Sequence, residues 1–365
     1  MRPRAPLPLL RRRRARRDEA LPWFTPAGPV RILIVSDAWM PQVNGVVRTL
    51  ATVRDELAQM GHVVEVVGPD RFRTIAAPTE PDVRLAILPG RRLRAIIDDF
   101  APDAIHIATE GPLGLAARRL CLRRGWPFTT AFHTRFPEYL KARLGVPLGL
   151  TWAVMRRFHR PSSAVLTATA SLREELVARG FRNVAAWTRG VDLGLFRPRA
   201  RGALNLPRPV FLYVGRVAVE KNIEAFLALD LPGSKVVVGD GPARPALERR
   251  FPDAHFLGAK FGEELAAAYA EADVFVFPSL TDTFGLVIVE ALACGTPVAA
   301  FPVTGPKDVI DGAAVGVLDD DLAAAARAAL GLDRDACRRF AEGFSWRRCA
   351  EILLERLAPI ERAAE

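Results

Sequence analysis

The stretch at residues 278–297, PSLTDTFGLVIVEALACGTP, indicates the fold of the whole chain. It follows an apolar run at residues 274–277, whose aromatic and β-branched side chains are typical of a buried strand. A polar loop comes next, and an apolar helical segment from Leu286 ends at Gly295, just before a proline that cannot continue a helix. The stretch therefore predicts a strand, a loop and a helix, which is the repeating unit of an α/β fold.

Two carboxylates lie in this stretch, Asp282 in the loop and Glu290 about two turns along the helix. A loop that ends at a helix N-terminus presents unpaired N–H groups and the positive end of the helix dipole, which suit a phosphate. From these positions the loop carboxylate can face a sugar, and the helix carboxylate can accept hydrogen bonds from ribose hydroxyls. The alternative is an Asp282 that caps the helix and a solvated Glu290 on its face.

The same stretch resembles the carboxylate-pair signature of retaining glycosyltransferases of family 4, which have the GT-B fold. That signature has two acidic residues with Phe-Gly between them, and here it falls on Asp282 and Glu290. The resemblance implies catalytic roles for these two residues and donor contacts for Phe284, Gly285 and Leu286. The family usually has Glu where this chain has Asp282, so the donor hydroxyl is held here by a shorter side chain.

Length and composition predict two domains. The chain has 365 residues, half of them hydrophobic, which exceeds one ordinary core. No segment reaches the roughly 18 consecutive apolar residues that span a bilayer. The four cysteines have neither metal nor disulfide spacing, as expected in a reducing cytosol.

The net charge of +10 is unevenly placed along the chain. Residues 1–27 carry 8 arginines and 2 acids, residues 28–197 carry 24 basic and 15 acidic side chains, and residues 198–365 carry 19 basic and 24 acidic ones. This asymmetry argues against a general nucleic-acid binder and favours a protein that turns one face toward an anionic membrane surface. Residues 1–27 are predicted to be a basic disordered tail, an arm attracted to anionic lipid, or the product of a start codon assigned too early.

The first ordered segment is a predicted βαβ unit over residues 30–67. Its loop ends in Asn44-Gly45 at the carboxyl end of a strand, where open α/β sheets bind ligands. The GxGxxG fingerprint is missing, which argues against NAD. The resemblance implies that this loop reaches the donor diphosphate through backbone N–H groups. Gly45 would then permit a close approach of phosphate to the main chain, and a plain turn is the alternative.

Two further segments of the first half carry candidate residues. FHTRFPEYL at residues 132–140 looks like the family loop beside the sugar, which implies a hydrogen bond from His133 to a donor hydroxyl. Residues 141–160 form a basic amphipathic segment, predicted to be an interfacial helix or a core helix with charged ends. Arg143, Trp152, Arg156 and Arg157 are the acceptor or membrane candidates on it, and in membrane-associated members this region lies near the acceptor entrance.

The second half repeats the strand and loop pattern. A strand at residues 210–214 meets Gly215-Arg216, and Lys221 follows before a helix. By resemblance, Arg216 and Lys221 clamp the diphosphate, because two fixed cations stabilise the negative charge that the leaving group gains. Gly239-Asp240 follows another strand and lies near the nucleotide in the family. No metal or other cofactor is predicted.

These observations predict an α/β protein of the GT-B class, with two Rossmann-like domains that face an interdomain cleft. The predicted boundaries are residues 28–197 for an acceptor domain, 198–343 for a nucleotide-sugar domain, and 344–365 for a helix that crosses back. The predicted reaction moves a sugar from a UDP-sugar or GDP-mannose to a membrane lipid such as diacylglycerol or phosphatidylinositol, on the inner face of the cytoplasmic membrane. The alternatives are a transferase with a soluble or polysaccharide acceptor, a nucleotide-sugar epimerase, and a non-enzymatic basic binding protein.

Overall fold

The structure is a computed structural model that describes residue 24 and residues 26–42, 44–77, 80–202 and 204–361. The predicted tail at residues 1–27 therefore lies almost wholly outside the described residues. At its end, the Phe24 N–H donates to the Glu355 carbonyl over 2.9 Å. The chain is thus already tied to a C-terminal helix at Phe24.

The first domain is built on a parallel sheet with helices on its connections. In chain order its elements are β1 (Arg31–Val35), α1 (Gly45–Gln59), β2 (Val63–Val67), β3 (Thr74–Ala77), β4 (Glu80–Ala86), α2 (Gly90–Phe100), β5 (Ala104–Ile107), α3 (Pro112–Arg124), β6 (Thr129–Phe132), α4 (Phe136–Leu144), α5 (Leu148–His159), β7 (Val165–Thr167), α6 (Ala170–Ala178) and β8 (Val184–Ala186). The sheet has six strands in the order β2-β1-β5-β6-β7-β8, and β3 and β4 form a separate antiparallel hairpin.

The second domain repeats this plan. Its elements are β9 (Val210–Val214), α7 (Ile223–Leu227), β10 (Ser234–Val238), α8 (Arg244–Arg250), β11 (His255–Gly258), α9 (Gly262–Glu271), β12 (Val274–Phe277), α10 (Leu286–Ala293), β13 (Val298–Ala300), α11 (Pro306–Ile310), β14 (Gly316–Leu318), α12 (Leu322–Ala329), α13 (Arg334–Ala341) and α14 (Trp346–Arg356). The six parallel strands lie in the order β11-β10-β9-β12-β13-β14.

Strand burial explains why the apolar runs form these sheets. Every residue of β9 and of β12 is buried, as expected of parallel strands covered on both faces. In each sheet the order reverses at the first strand, β1 or β9, which leaves a crevice at its carboxyl end. The prediction of two Rossmann-like α/β domains is confirmed. We expect the candidate residues at these crevices, because open α/β sheets bind ligands there.

The last helix joins the two halves. α14 packs against α1, and its residues Cys349, Leu353 and Leu357 belong to the same core cluster as Ile32 and Ile34 of β1. The Trp187 indole N–H donates to the Cys349 carbonyl over 2.9 Å. The C-terminal helix is therefore a structural part of the first domain.

The predicted helical segment at residues 141–160 is two helices rather than one. α4 ends at Gly145, which has a φ of +67°, and α5 begins after Pro147. A proline blocks the helical hydrogen bond that would have joined them. Among the residues that the structure describes, no helix is both long enough and apolar enough to span a membrane.

Candidate active site

The carboxyl ends of β9 and β12 bring together the two motifs predicted in the second domain. Lys221 Nζ lies 2.6 Å from Asp282 Oδ1, although 61 positions separate them in the chain. The Asn222 side-chain amide donates to the Pro278 carbonyl over 3.1 Å and holds the two loops together. Burial favours the neutral carboxyl, but the Lys221 ammonium outweighs it and lowers the pKa of Asp282 below its ordinary value. The carboxylate is therefore ionised at neutral pH.

The same loop leads into a helix end that is open to an anion. Gly285 is the N-cap of α10, with a φ of +83°, and as a glycine it has no side chain to cap this end. Asp282 pairs with Lys221 through Oδ1, and its Oδ2 has no hydrogen-bond partner among the described residues, so Asp282 does not cap the helix and that alternative is wrong. Phe284 is buried, and its ring meets Phe344 at 6.1 Å, so it anchors the loop in the core. Leu286 is the first helical residue.

Glu290 is buried, so the alternative of a solvated carboxylate is also wrong. One of its oxygens forms an ion pair with Arg48 of α1, and the other accepts from the Tyr269 hydroxyl at 2.9 Å. Burial raises the pKa of Glu290 above its ordinary value, although Arg48 and Tyr269 favour the ionised form. Both oxygens are thus engaged, and one is engaged by the first domain.

Arg216 and the two strand-end glycines lie beside this loop. The Tyr213 hydroxyl donates to the Arg216 carbonyl over 3.0 Å, and the Arg216 guanidinium lies 4.0 Å from Glu220. Gly239 packs directly on Gly215, where a Cβ on Gly239 would lie 1.9 Å from the Gly215 carbonyl oxygen. Asp240 is exposed, and one of its oxygens accepts from the Gly241 N–H at 2.7 Å.

His133 joins the site from the first domain, at the end of β6. Its carbonyl accepts from the Thr283 hydroxyl at 2.9 Å, which places it against the Asp282 loop. Its ring Nδ1 lies 3.3 Å from an Arg189 guanidinium nitrogen. Burial, followed by the charge of Arg189, lowers the pKa of His133 well below its ordinary value. The imidazole is therefore neutral.

The loop at Asn44 and Gly45 faces the same helix end across the domain boundary. The Asn44 side chain caps α1, because its Oδ1 accepts from Val46 and Val47 N–H groups, each at 3.0 Å. A Cβ on Gly45 would lie 3.8 Å from the Leu286 side chain, an ordinary contact. Packing in this structure does not itself require a glycine there.

The matching crevice of the first domain is filled by its own side chain. Asp37, just after β1, accepts from the Thr109 hydroxyl at 2.9 Å and from the Leu113 and Gly114 N–H groups at 2.8 and 3.2 Å. A Cβ on Gly111 would lie 2.5 Å from the Asp37 carboxyl carbon, so only glycine fits beside it. Burial raises the pKa of Asp37, although these hydrogen bonds oppose that shift.

The acceptor and membrane candidates do not share one face. Trp152 is only 3% exposed and stacks on Phe132 at 5.7 Å, so its predicted place at a membrane surface is wrong. Trp152 lies on the apolar stripe that helical spacing defines, and that stripe faces the core. Arg156 and Arg157 are exposed, whereas the Arg143 side chain lies outside the described residues.

An apolar groove of about 230 Å³ lies between α4 and α5. Its rim residues Leu150 and Val154 are 60% and 57% exposed. The groove is lined by Phe136, Pro137, Leu140, Val146, Leu150, Thr151, Val154 and Met155. The exposed apolar surface of this region therefore lies at the groove and not at Trp152.

Sequence reasoning missed two residues that contact the site, Arg48 and Arg189, and a third, Asp37, that fills the matching crevice of the first domain. Arg48 and Arg189 act on partners far away in the chain, and nothing in their local sequence marks a buried pairing. Asp37 could have been suspected, since it directly follows a buried strand. Within the described part of the chain, no group of three or more His, Cys, Asp or Glu side chains is placed to hold a metal ion.

Comparison with known proteins agrees with this geometry. Residues 43–195 match the family model "Glycosyltransferase Family 4", and residues 208–335 match "Glycosyl transferases group 1". The chain is 34% identical to a GDP-mannose-dependent alpha-mannosyltransferase of Mycobacterium tuberculosis, over 79% of this chain and 83% of that protein. It is 27% identical to the alpha-monoglucosyldiacylglycerol synthase of Streptococcus pneumoniae, over 74% of this chain and 71% of that one.

A solved structure shows a similar fold. HepE of Anabaena, crystallised with UDP and glucose, superposes with a TM-score of 0.68 at 16% identity, covering 89% of this chain and 98% of that one. At this identity the likeness concerns the fold alone. It agrees with the two parallel-sheet domains described above.

Proposed function

This chain belongs to glycosyltransferase family 4, and from that premise we propose that it moves a sugar from a nucleotide diphosphate sugar to a membrane lipid with retention of the anomeric configuration. The observation that carries the proposal is the Lys221–Asp282 pair beside the uncapped N-terminus of α10. A cation and a helix N-terminus together suit a diphosphate, and a carboxylate next to them suits a sugar hydroxyl.

The leaving group accounts for the cations. As the bond between the anomeric carbon and the phosphate oxygen breaks, negative charge builds on the diphosphate. Arg216, Lys221 and the α10 N–H groups stabilise that charge, because they are fixed before the reaction begins. The Lys221 ammonium, which pairs with Asp282 in this structure, then interacts with both the Asp282 carboxylate and the donor diphosphate.

The remaining groups orient the sugar. Asp282 accepts hydrogen bonds from donor hydroxyls, and His133 donates one from its ring. The acceptor hydroxyl attacks on the face that the diphosphate leaves, and the departing phosphate oxygen takes the acceptor's proton. The neutral His133, with its lowered pKa, suits a hydrogen-bond donor better than a general base at this step.

The role of Glu290 as a ribose acceptor requires a change in its partners. Arg48 and Tyr269 occupy both carboxylate oxygens in the ligand-free protein. Ribose hydroxyls would replace one of these contacts, and the Arg48 ion pair is the one that crosses between domains. We therefore propose that donor binding loosens this ion pair.

Two lines of support favour GDP-mannose as the donor and a lipid as the acceptor. The mycobacterial relative is named as GDP-mannose-dependent. The pneumococcal relative is named as a glucosyldiacylglycerol synthase. On the chain itself, α4 and α5, which form the apolar groove, also carry the exposed cations Lys141, Arg156 and Arg157. Exposed apolar side chains and cations on the same two helices suit an anionic membrane surface, and we place the protein at the inner face of the cytoplasmic membrane.

The test is turnover by the purified protein with a panel of UDP- and GDP-sugars. Each donor is offered with phosphatidylglycerol vesicles that contain diacylglycerol or phosphatidylinositol, and with lipid-free buffer. Transfer that requires vesicles supports the lipid acceptor, and the anomeric proton coupling of the product reports retention. Transfer without vesicles points to a soluble acceptor, and no nucleotide release with any donor overturns the proposal.

A further inference from the structure

Arg189 is a buried cation in the TRGVD segment that closes the first domain, and the proposed mechanism does not use it. It is 4% exposed, and its Nη1 donates to the Trp187 and Thr188 carbonyls over 2.7 and 2.9 Å. Its guanidinium also lies 4.6 Å from the Trp187 ring centroid. Burial lowers the pKa of Arg189, but an arginine stays protonated in a protein. The chain thus keeps a permanent charge in its interior.

The remaining end of the guanidinium points at the site. Arg189 Nη2 lies 3.3 Å from His133 Nδ1. A guanidinium has five N–H donors and no acceptor. The His133 Nδ1 must therefore be the acceptor of this hydrogen bond, which leaves the single ring proton of the neutral imidazole on Nε2.

The other ring nitrogen is the one without a partner. His133 Nε2 is buried and has no hydrogen-bond partner among the described residues. Asp282 Oδ2, in the adjacent loop, is likewise buried and unpartnered there. Buried polar atoms are usually satisfied, so two such atoms on neighbouring loops mark a place where a polar ligand completes the bonding.

We propose that Arg189 is a positioning residue that holds His133 in its Nε2–H tautomer and fixes its ring orientation, so that His133 presents an N–H donor to the donor sugar. This inference rests on the proposed function for the identity of the ligand. The tautomer itself follows from the contact between Arg189 and His133 and does not depend on which ligand binds. A carboxylate in place of Arg189 would favour a proton on Nδ1 and make Nε2 an acceptor.

The surroundings of His133 also oppose its protonation. Burial is the largest cause, and the charge of Arg189, in the segment after β8, adds to it. The neighbouring His106 of β5 is kept neutral in the same way, because burial and then Arg189 lower its pKa to about 3. A second proton on His133 would place two cations in one buried space. His133 therefore stays a neutral donor across the range in which histidine usually titrates.

The first experiment reads the tautomer directly in the wild-type protein. The five histidines are labelled with nitrogen-15, and the His133 signals are assigned by their loss in His133→Gln. We expect an unprotonated Nδ1 and a protonated Nε2, with shifts that do not change between about pH 5 and pH 8. A proton on Nδ1, or a titration within that range, overturns the proposal.

A pair of substitutions tests which ring nitrogen the reaction uses. A glutamine amide can reach the place of Nε2, whereas an asparagine amide reaches only the place of Nδ1. We expect His133→Gln to keep at least about ten times the transfer rate of His133→Asn, the scale of one net hydrogen bond. Equal losses in the two variants contradict an Nε2 donor.

Substitution of Arg189 itself tests positioning. Arg189→Met removes the donor and the charge, and we expect kcat to fall about ten-fold and the Nδ1 and Nε2 shifts to move toward each other, because both tautomers become populated. Arg189→Lys keeps a cation and a donor, and it should restore the wild-type shifts and part of the rate. If Arg189→Met does not fold, the wild-type spectrum and the His133 pair still decide the matter.

The outcomes separate this inference from the proposed function. An Nε2–H tautomer in a protein that turns over no donor leaves the tautomer standing and removes the transferase proposal. Active transfer by a protein whose His133 carries its proton on Nδ1 leaves the transferase proposal standing and removes the tautomer proposal.

Discussion

Both domains are six-stranded parallel sheets whose strand order reverses beside the first strand, and they place opposite charges at the same position after that strand. The second residue after the first strand is Asp37 in one domain and Arg216 in the other. Asp37 fills the N-terminus of α3 with a carboxylate, whereas Asp282, in the loop before α10, pairs with Lys221 instead. A helix N-terminus attracts an anion in either case. The first domain supplies that anion itself, and under the proposed function the donor diphosphate supplies it in the second.

The two domains thus differ in the charge that they place at the same strand end, although each is built on a parallel sheet. A domain that satisfies its own helix end gains stability and loses an anion site. A domain that does not fill its helix N-terminus with its own carboxylate keeps an anion site there. Cations such as Lys221 then help to bind the anion. The following experiments test this contrast, in order of decreasing expected effect.

The largest effect is expected at the open end. Lys221→Met should lower kcat about a hundred-fold to a thousand-fold, because it removes a fixed charge that stabilises the leaving group. Lys260→Met, on a partly exposed lysine that pairs with Glu264 in the same domain, is the matched control and should leave the rate unchanged. Lys260→Met should unfold at the wild-type temperature, whereas Lys221→Met should unfold at a lower one, because it removes the partner of the ionised Asp282. Normal transfer by Lys221→Met would remove Lys221 from the site.

The filled end should show the reverse pattern. Asp37→Ala leaves buried N–H donors at α3 without an acceptor, and it should lower the free energy of unfolding by about 1–3 kcal/mol. Asp37→Asn keeps one acceptor oxygen and should lose less. Urea denaturation measures both. A stable Asp37→Ala that has lost transfer would make Asp37 a functional residue, and the contrast between the domains would fail.

The two carboxylates should respond to pH with opposite signs. The pKa of Asp282 is lowered in the folded protein, so its stabilising contribution is present above the unfolded pKa of about 3.9 and is lost as the pH falls through the folded value. The pKa of Asp37 is raised, so its contribution is present at low pH and is lost as the pH rises through the folded value.

Asparagine substitutions measure these slopes. Relative to the wild type, Asp282→Asn should lose stability as the pH rises from about 3 to 7, and Asp37→Asn should gain stability over the same range. Unfolding temperatures at each pH give the comparison, with the wild type as the control. Two slopes of the same sign would show that the surroundings of the two carboxylates do not differ as described.

The smallest effect is expected at the surface. Arg157→Ala should weaken binding to phosphatidylglycerol vesicles by at most about 1 kcal/mol, the contribution of one basic residue near an anionic membrane. Arg249→Ala, an exposed arginine on α8 of the second domain, should leave vesicle binding unchanged. Co-sedimentation with vesicles measures both variants. An equal loss in the two would mean that the basic first domain does not turn toward the membrane.

Most of the fold could be predicted from the sequence, because buried parallel strands appear as short apolar runs between glycine and proline. The bounds predicted for β9 and β12 agree with the structure. The β3–β4 hairpin and α2 were not predicted, although the buried Leu93, Ile97 and Phe100 of α2 recur at helical spacing.

The site could be predicted only in part. The motifs gave Lys221 and Asp282 as separate candidates at strand ends, and topology brings them together. The sequence could not show that Trp152 faces the core, because helical spacing defines a stripe and does not say what covers it. It could not show the partners of Arg48 and Arg189, because each pairing depends on packing between segments far apart in the chain.

The helix α14 has a consequence for how the protein is made. The core around β1 includes Leu353 and Leu357, which the ribosome adds only after the whole second domain. During synthesis, the apolar surface of the first domain that these residues cover therefore stays exposed until the second domain has been made. Nascent chains of this kind are exposed to aggregation and to chaperones. Truncation before Trp346 would make that exposure permanent, so the two domains form a single unit of biosynthesis even though each has its own sheet.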